Sequence, residues 1–178
     1  MKPAAAPRLT AVDRPDVMWH HRASTHDALR AHVDHPLPVT TGHLCPACGS
    51  GSHGRPWVRL ADGSSPHVSL SRCGDHVLTA VAASPVGVDV ESLEAVAARW
   101  DPALVLRPDE RADTPAERAA MWCRKEAVLK ALGAGMRTPM SEIRCADWQL
   151  VDLEAPAGLV AAVAVLGSQA GSGGSSTE

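Results

Sequence analysis

Val86-Gly87-Val88-Asp89-Val90-Glu91 alternates residue by residue. In an extended strand, side chains two apart share a face. Val86, Val88 and Val90 therefore make an apolar face, and Gly87, Asp89 and Glu91 make the opposite one. Asp89 and Glu91 stand side by side there, and Gly87 adds no side chain. Two neighbouring carboxylates repel unless a cation lies between them. Hard oxygen ligands suit Mg²⁺ or Mn²⁺. The other reading of such a pair is a solvated strand face.

Upstream of this strand the chain is punctuated by turns. Ser84-Pro85 precedes it, and His76 to Ala83 reads as a mostly apolar strand after the turn Cys73-Gly74-Asp75. His67 to Ser71 alternates as a half-buried strand does, and Pro56 to Leu60 reads as an edge strand. Thr41 to Ser52, with Gly42, Cys45, Pro46, Cys48, Gly49 and Gly51, is turn-like. Ser24-Thr25-His26-Asp27 offers a helix start, with Ala28, Leu29 and Val33 on its apolar side and Pro36 and Pro38 as its stop.

Downstream, Ser92 to Trp100 predicts a short helix. Thr114-Pro115-Ala116-Glu117 places Thr at the N-cap, Pro at N1 and Glu at N3, so a helix runs from there to Leu132, with Gly133 as its C-cap. Ile143 to Leu153 and Leu159 to Leu166 read as strands joined by the turn Pro156 to Gly158. The fold class is α+β, with two related halves, each a small, mostly antiparallel sheet packed with a helix, meeting near residue 85. Residues 1–16 are a loose arm, 17–85 the N-terminal half, 86–166 the C-terminal half, and 167–178 a solvated Gly/Ser tail.

The long helix bears on the acid pair. Trp122, Glu126 and Lys130 recur at i, i+4 and i+8 and share one face. Alone, Glu126 and Lys130 are an ordinary surface ion pair of little energetic weight. Beside Asp89 and Glu91 they supply a third carboxylate and a phosphate-binding ammonium. Arg55 and Arg72 present forks suited to phosphate, and Ser71 a hydroxyl. Each of these, taken singly, also reads as a surface residue.

Composition bounds the rest. The chain has 178 residues, 45% of them hydrophobic and 21% charged, which excludes a wholly disordered polymer. A net charge of −3 gives no global field for nucleic acid or an acidic membrane. No apolar run approaches the length of a membrane span, and Met1 to Pro7 lacks the apolar stretch of a secretory signal, so the expected location is cytoplasmic. Tyr and Phe are absent, which leaves Ala, Val and Leu to build a close-packed core. Five Cys do not make a disulfide framework. Cys45-Pro46-Ala47-Cys48-Gly49, followed by His53 and preceded by His43, has the form of a zinc knuckle lacking its second Cys pair. Cys73 adds a ligand only if the fold brings it close. The other reading is a Gly/Pro turn with reduced thiols.

The strand motif, followed by Trp122-Cys123-Arg124-Lys125-Glu126-Ala127-Val128-Leu129-Lys130, resembles the paired signature of the Sfp-type 4′-phosphopantetheinyl transferases. Gly54-Arg55-Pro56 resembles that family's Gly-Lys-Pro element. His67 to Gly74 resembles its HxNISHSG strand, with Ser69 for the usual Asn, Arg72 for His and Cys73 for the second Ser. The resemblance spans about Gly54 to Ile143. It implies transfer of the phosphopantetheine arm of coenzyme A to a serine of an apo acyl or peptidyl carrier protein, releasing adenosine 3′,5′-bisphosphate. It implies that Asp89, Glu91 and Glu126 hold Mg²⁺ or Mn²⁺. Glu126 would also take the serine proton, and Lys130, Arg55, Arg72 and Ser71 would contact coenzyme A phosphates, with Arg8, Arg14, Arg22 and Arg30 as further basic candidates. It implies a monomer whose two halves, related by a pseudo-two-fold, build the active cleft between them. No membrane or nucleic-acid partner is expected. The competing classes are a metal-dependent phosphohydrolase and a non-catalytic carrier-binding module.

Overall fold

The computed structural model describes residues 14–36 and 38–167. Most of the expected arm (1–13) and nearly all of the expected tail (168–178), with Arg8, lie outside the described residues. Asp16, assigned to the arm, instead opens β1 (Asp16–His21). There follow α1 (Thr25–Val33), β2 (Val39–Leu44), β3 (Arg55–Leu60), β4 (His67–Cys73), β5 (His76–Ala82), β6 (Val86–Ser92) and α2 (Leu93–Arg99). The chain then forms α3 (Pro102–Val105), α4 (Pro115–Leu132), three single 3₁₀ turns, β7 (Gln149–Leu153) and β8 (Leu159–Val165).

The architecture is α+β. One antiparallel sheet has the order β1-β5-β4 and a second the order β6-β8-β7, while β2 and β3 form a separate hairpin. Each three-stranded sheet thus places its first strand beside its last and its middle strand outermost. That repetition is necessary for a two-fold relation between the halves, though not sufficient for one. The sheets meet across a shared apolar core in which Leu78 and Ala80 of β5 pack with Val86, Val88 and Val90 of β6 and Val163 of β8. The apolar face of the opening motif is this core.

The opposite face of β6 lies against α4. Gly87 and Asp89 pair with Ala164 and Ala162 of β8, so the surface under the helix is made of small side chains. Ala127, Val128 and Ala131 of α4 pack on the two alanines. A Cβ at position 87 would run into the Ala127 carbonyl and the Ala131 nitrogen, so the close approach requires glycine. Gly87→Ala is expected to push α4 outward and destabilise the chain by about 1–3 kcal/mol, the usual range for overpacking. A lowered urea midpoint at unchanged m-value checks this, and an unchanged midpoint would mean that the helix yields freely.

The expected caps of α4 are present. The Thr114 hydroxyl accepts from the Glu117 N–H, the Glu117 carboxylate accepts from the Thr114 N–H, and Gly133 closes the C-terminus in the left-handed region. Arg124 Nε donates to Asp152 of β7 at 2.7 Å and so ties the helix across to the far strand. On the inner side Lys125, fully buried, donates to the Val105 carbonyl at 2.7 Å and is ion-paired with Glu110. Among the described residues, no helix is long and apolar enough to cross a membrane.

Two expectations about secondary structure are corrected. Thr41 to Leu44, read as part of a turn, completes β2, paired from Val39↔Leu60 to Leu44↔Arg55. Gly42 belongs in this strand because the Trp57 indole on β3 covers the space where a side chain would stand. The strand read from Ile143 to Leu153 begins only at Gln149. Gln149 already faces Val165, the last residue of β8, so earlier residues have no partner strand. Of them, Cys145–Asp147 forms a 3₁₀ turn, and Ile143, just after the 3₁₀ turn Met140–Glu142, is buried against α4.

Candidate active site at the junction of the two sheets

The N-terminal sheet reaches the second half through two serines. On β4, Ser69 Oγ accepts the Val88 N–H at 3.0 Å and Ser71 Oγ donates to Asp89 Oδ1 at 2.8 Å. Alternation along β4 turns both toward β6. Lys130, in the last turn of α4, donates from Nζ to Asp89 Oδ1 at 2.6 Å and to Ser71 Oγ at 2.9 Å. Strand, strand and helix thus converge on one buried carboxylate, 3% exposed. Its second oxygen, Oδ2, is buried and has no hydrogen-bond partner.

Lys130 therefore pairs with Asp89 rather than with Glu126, its neighbour one turn back. Glu126 is half-buried, and its carboxyl is pushed above the ordinary range. Burial is the main cause, repulsion from Asp89 adds to it, Lys130 opposes it and Glu91 adds again. Glu91 is raised as well, first by burial and then by Asp89, with Arg99 acting against both. Arg99 Nη2 lies 2.6 Å from Glu91 Oε2, and its guanidinium rests 4.7 Å over the Trp122 ring. Trp122, on the same helix face as Glu126, thereby supports the cation that holds Glu91. Arg99 was not singled out from the sequence, although its place in the last turn of a helix that begins one residue after β6 puts it within reach of Glu91.

The three carboxylates share one field without closing on a common point. Among the described residues, the group of three Cys, His or acidic side chains whose ligand atoms all lie within 4.8 Å of one another is Cys45, Cys48 and His53. Asp89 Oδ2 nevertheless makes no hydrogen bond of ordinary geometry, with the weakly donating Cys123 thiol beside its carboxylate, and Glu91 and Glu126 both feel its charge. Three carboxylates are the kind of oxygen donor that a hard cation takes.

Arg55 reaches the site from β3. Its Nη2 lies 3.5 Å from the Ala131 carbonyl, and the guanidinium packs over Gly133 at the C-terminal end of α4. Arg72 is not brought to Asp89. It follows Ser71 on β4 and so points to the other face, where Nη2 donates to the Ala23 carbonyl at 2.6 Å.

A cavity of about 520 Å³ opens beside Lys130, lined also by Cys45, His53, Arg55, Ser69 and Arg137. A second, of about 770 Å³, continues from it across Arg55 to Trp57, Arg59, Leu132 and Arg137. Both lie in the size range of ligand sites. Leu44, Trp57 and Leu132 are large apolar groups left exposed along the second cavity. Arg137 and Trp57 carried no signal in sequence beyond strand alternation and a position just past the helix cap.

The cysteine loop forms one wall of the first cavity. Backbone N–H groups of Ala47 and Cys48, with the Cys48 side chain, hold the Cys45 thiol below its ordinary value. His43 stands edge-on to His26, with ring centroids 6.0 Å apart, outside the Cys45 group. Cys73 also lies outside it, near Glu91 and Ser92. His20 and His32 both bond the Thr79 hydroxyl, and His21 packs on His76.

Residues 85–164 match the family model described as the 4′-phosphopantetheinyl transferase superfamily. A curated relative, the 4′-phosphopantetheinyl transferase psf-1 of Bacillus pumilus, is 35% identical over 123 residues. These cover 58% of this chain and 50% of the relative, so the chain spans half the length of the protein it matches. The likeness that the two motifs carry is thereby shown for the stretch from β6 through β8.

Proposed function

We propose that this chain transfers the 4′-phosphopantetheine arm of coenzyme A to a serine of an apo acyl or peptidyl carrier protein, releasing adenosine 3′,5′-bisphosphate. Asp89, Glu91 and Glu126 would hold Mg²⁺, or Mn²⁺ in its place. The observation that carries the reading is Asp89 Oδ2, a buried carboxylate oxygen that makes no hydrogen bond of ordinary geometry and has the weakly donating Cys123 thiol beside its carboxylate. Such a group is unfavourable when left alone, and a hard cation satisfies it. The ion, when bound, neutralises charge on the coenzyme A pyrophosphate.

The chain's own groups do the rest. Ser71 and Lys130 fix Asp89 from two sides. Lys130 lies along the cavity wall and offers its ammonium to phosphate. Glu126, with its carboxyl raised, is suited to accept the proton of the carrier serine, since a general base works best when its pKa approaches the operating pH. The serine oxygen attacks the phosphorus that bears the pantetheine, the bridging P–O bond breaks and the bisphosphate leaves. Arg55, at the join of the two cavities, grips a coenzyme A phosphate, and Ser71 adds a hydrogen bond. Arg72 is assigned a second, outlying phosphate on the family resemblance alone. The cleft between the halves of a single chain is the active site, so a monomer suffices.

Arg55→Ala is expected to raise the Michaelis constant for coenzyme A by about tenfold or more, the weight of one charge-assisted contact, with a smaller effect on turnover. Steady-state kinetics reads this, and an unchanged constant would remove Arg55 from the phosphate site. The transfer itself is tested by mass spectrometry of an apo carrier protein incubated with the chain, coenzyme A and Mg²⁺. A gain of one phosphopantetheine arm, dependent on Mg²⁺ and lost in Asp89→Ala, supports the reading. Phosphate release without that gain would select a phosphohydrolase. Binding of the carrier with neither outcome would select a non-catalytic module.

A further inference from the structure

The loop from Cys45 to Gly54 joins β2 to β3 and immediately precedes Arg55. It is closed on itself: the Cys45 N–H donates to the Ser50 carbonyl at 2.9 Å and the Gly49 N–H to the Cys45 carbonyl at 2.8 Å. Gly49 and Gly54 both take positive φ, at 71° and 101°. Gly54 lies flush on the backbone of Leu44 and Cys45, where a side chain would collide. The turn brings three soft or borderline donors together, with Cys48 Sγ 3.4 Å from His53 Nε2 and Cys45 Sγ within the same 4.8 Å group. Ligands about 2.0–2.3 Å from a tetrahedral Zn²⁺ stand roughly 3.3–3.8 Å from one another, so the group needs only a small inward movement. The Cys-x₂-Cys spacing is that of known structural zinc sites. The Cys45 sulfur also accepts backbone N–H bonds from Ala47 and Cys48, which stabilise a ligating thiolate.

We propose that Cys45, Cys48 and His53 Nε2 bind one Zn²⁺, with water as the fourth ligand on the side of the 520 Å³ cavity. His43 and Cys73 take no part. The ion clasps both ends of the loop and fixes the approach of the chain to Arg55. Sulfur and nitrogen donors separate this site in kind from the oxygen donors around Asp89. The proposal does not depend on the transfer reaction.

The test is metal analysis of the untagged full chain purified without chelator, expected to contain one zinc per chain. Cys45→Ser, Cys48→Ser and His53→Gln should each lower zinc affinity by at least about tenfold, the loss that follows even from disturbing an outer partner of a ligand. His43→Ala and Cys73→Ser should retain the metal. Replacement by Co²⁺ should give sulfur-to-cobalt charge transfer and the intense visible bands of a tetrahedral site. Should a Cys variant fail to fold, the wild type still decides. Chelation should then lower the melting temperature and open residues 45–54 to limited proteolysis, and added Zn²⁺ should reverse both. A zinc-free chain lighter by two hydrogens, with a Cys45–Cys48 disulfide, overturns the proposal. So does zinc retained in the Cys45→Ser/Cys48→Ser double variant or lost in His43→Ala.

Discussion

Replacing Glu126 by Gln is expected to lower turnover by about 10²–10⁴-fold, the usual weight of a general base, while making the metal-free chain more stable at neutral pH. The two effects share one cause. The Glu126 carboxyl lies above its ordinary value of 4.5, chiefly through burial and then through Asp89. In the window from that value up to the folded pKa, the folded chain binds the extra proton. Stability therefore falls as pH rises through the window, and above it the full penalty for the charged form is present. Gln carries no charge, so the variant should melt at a higher temperature than wild type at pH 7. The difference should vanish below about pH 4.5, where both are neutral. Added Mg²⁺ should raise the melting temperature of wild type more than that of the variant, because it cancels a repulsion that the variant lacks. Coenzyme A–Mg²⁺ binding should weaken less than turnover, since Asp89 and Glu91 remain. Turnover within a few-fold of wild type would remove Glu126 from the reaction. Equal losses of binding and rate would leave it a metal ligand only.

Asp89 is the contrasting case. A strand face of Gly, Asp and Glu suggests that losing its carboxylate would leave the fold untouched. The structure instead places it in a buried junction, accepting from Ser71 and Lys130. Its removal takes the acceptor from both, so the Asp89→Ala test of transfer needs thermal unfolding alongside it.

What sequence shows here is periodic and local. The two-residue alternation of β6, the caps of α4 and the i, i+4, i+8 face of Trp122, Glu126 and Lys130 all reappear in the structure, because each depends on residues close in the chain. What sequence does not show depends on partners. The extent of β2 is set by β3, and the late start of β7 by where β8 stops. Lys130 turns from Glu126 to Asp89 because α4 is drawn down onto Gly87, and no spacing along the helix reveals which strand lies beneath it. Arg99 takes Glu91 because Trp122 is there to support it from another helix. Arg72 points away because one residue along a strand is the other face, although its neighbour Ser71 lies in the junction.

Lys125→Ala is expected to destabilise the chain by about 3–5 kcal/mol, the range for breaking a buried ion pair from one side. Lys125 stands between Arg124, which reaches out to β7, and Glu126, which faces the carboxylates. Its own side chain turns inward and is fully buried. There it pairs with Glu110 and donates to the Val105 carbonyl at 2.7 Å, which fastens α4 to the segment after α3. Removing the ammonium takes the counter-charge from the Glu110 carboxylate, which keeps only the Arg107 N–H at 3.0 Å, and takes the Lys125 donor from the Val105 carbonyl. Against a typical total of about 5–15 kcal/mol, this is a large fraction. Lys125→Met with Glu110→Gln removes both charges and keeps the volume, and should recover most of the loss. The pair also sets the rotation of α4 that presents Glu126 and Lys130 to β6. The single variant should therefore lose turnover even at temperatures where it remains folded, and the double variant should regain it together with stability. Chemical denaturation and kinetics on the same preparations separate the outcomes. A single variant as stable as wild type would show the pair to be dispensable. A stable double variant that stayed inactive would mean that the Lys125 charge itself serves the reaction rather than the placement of the helix.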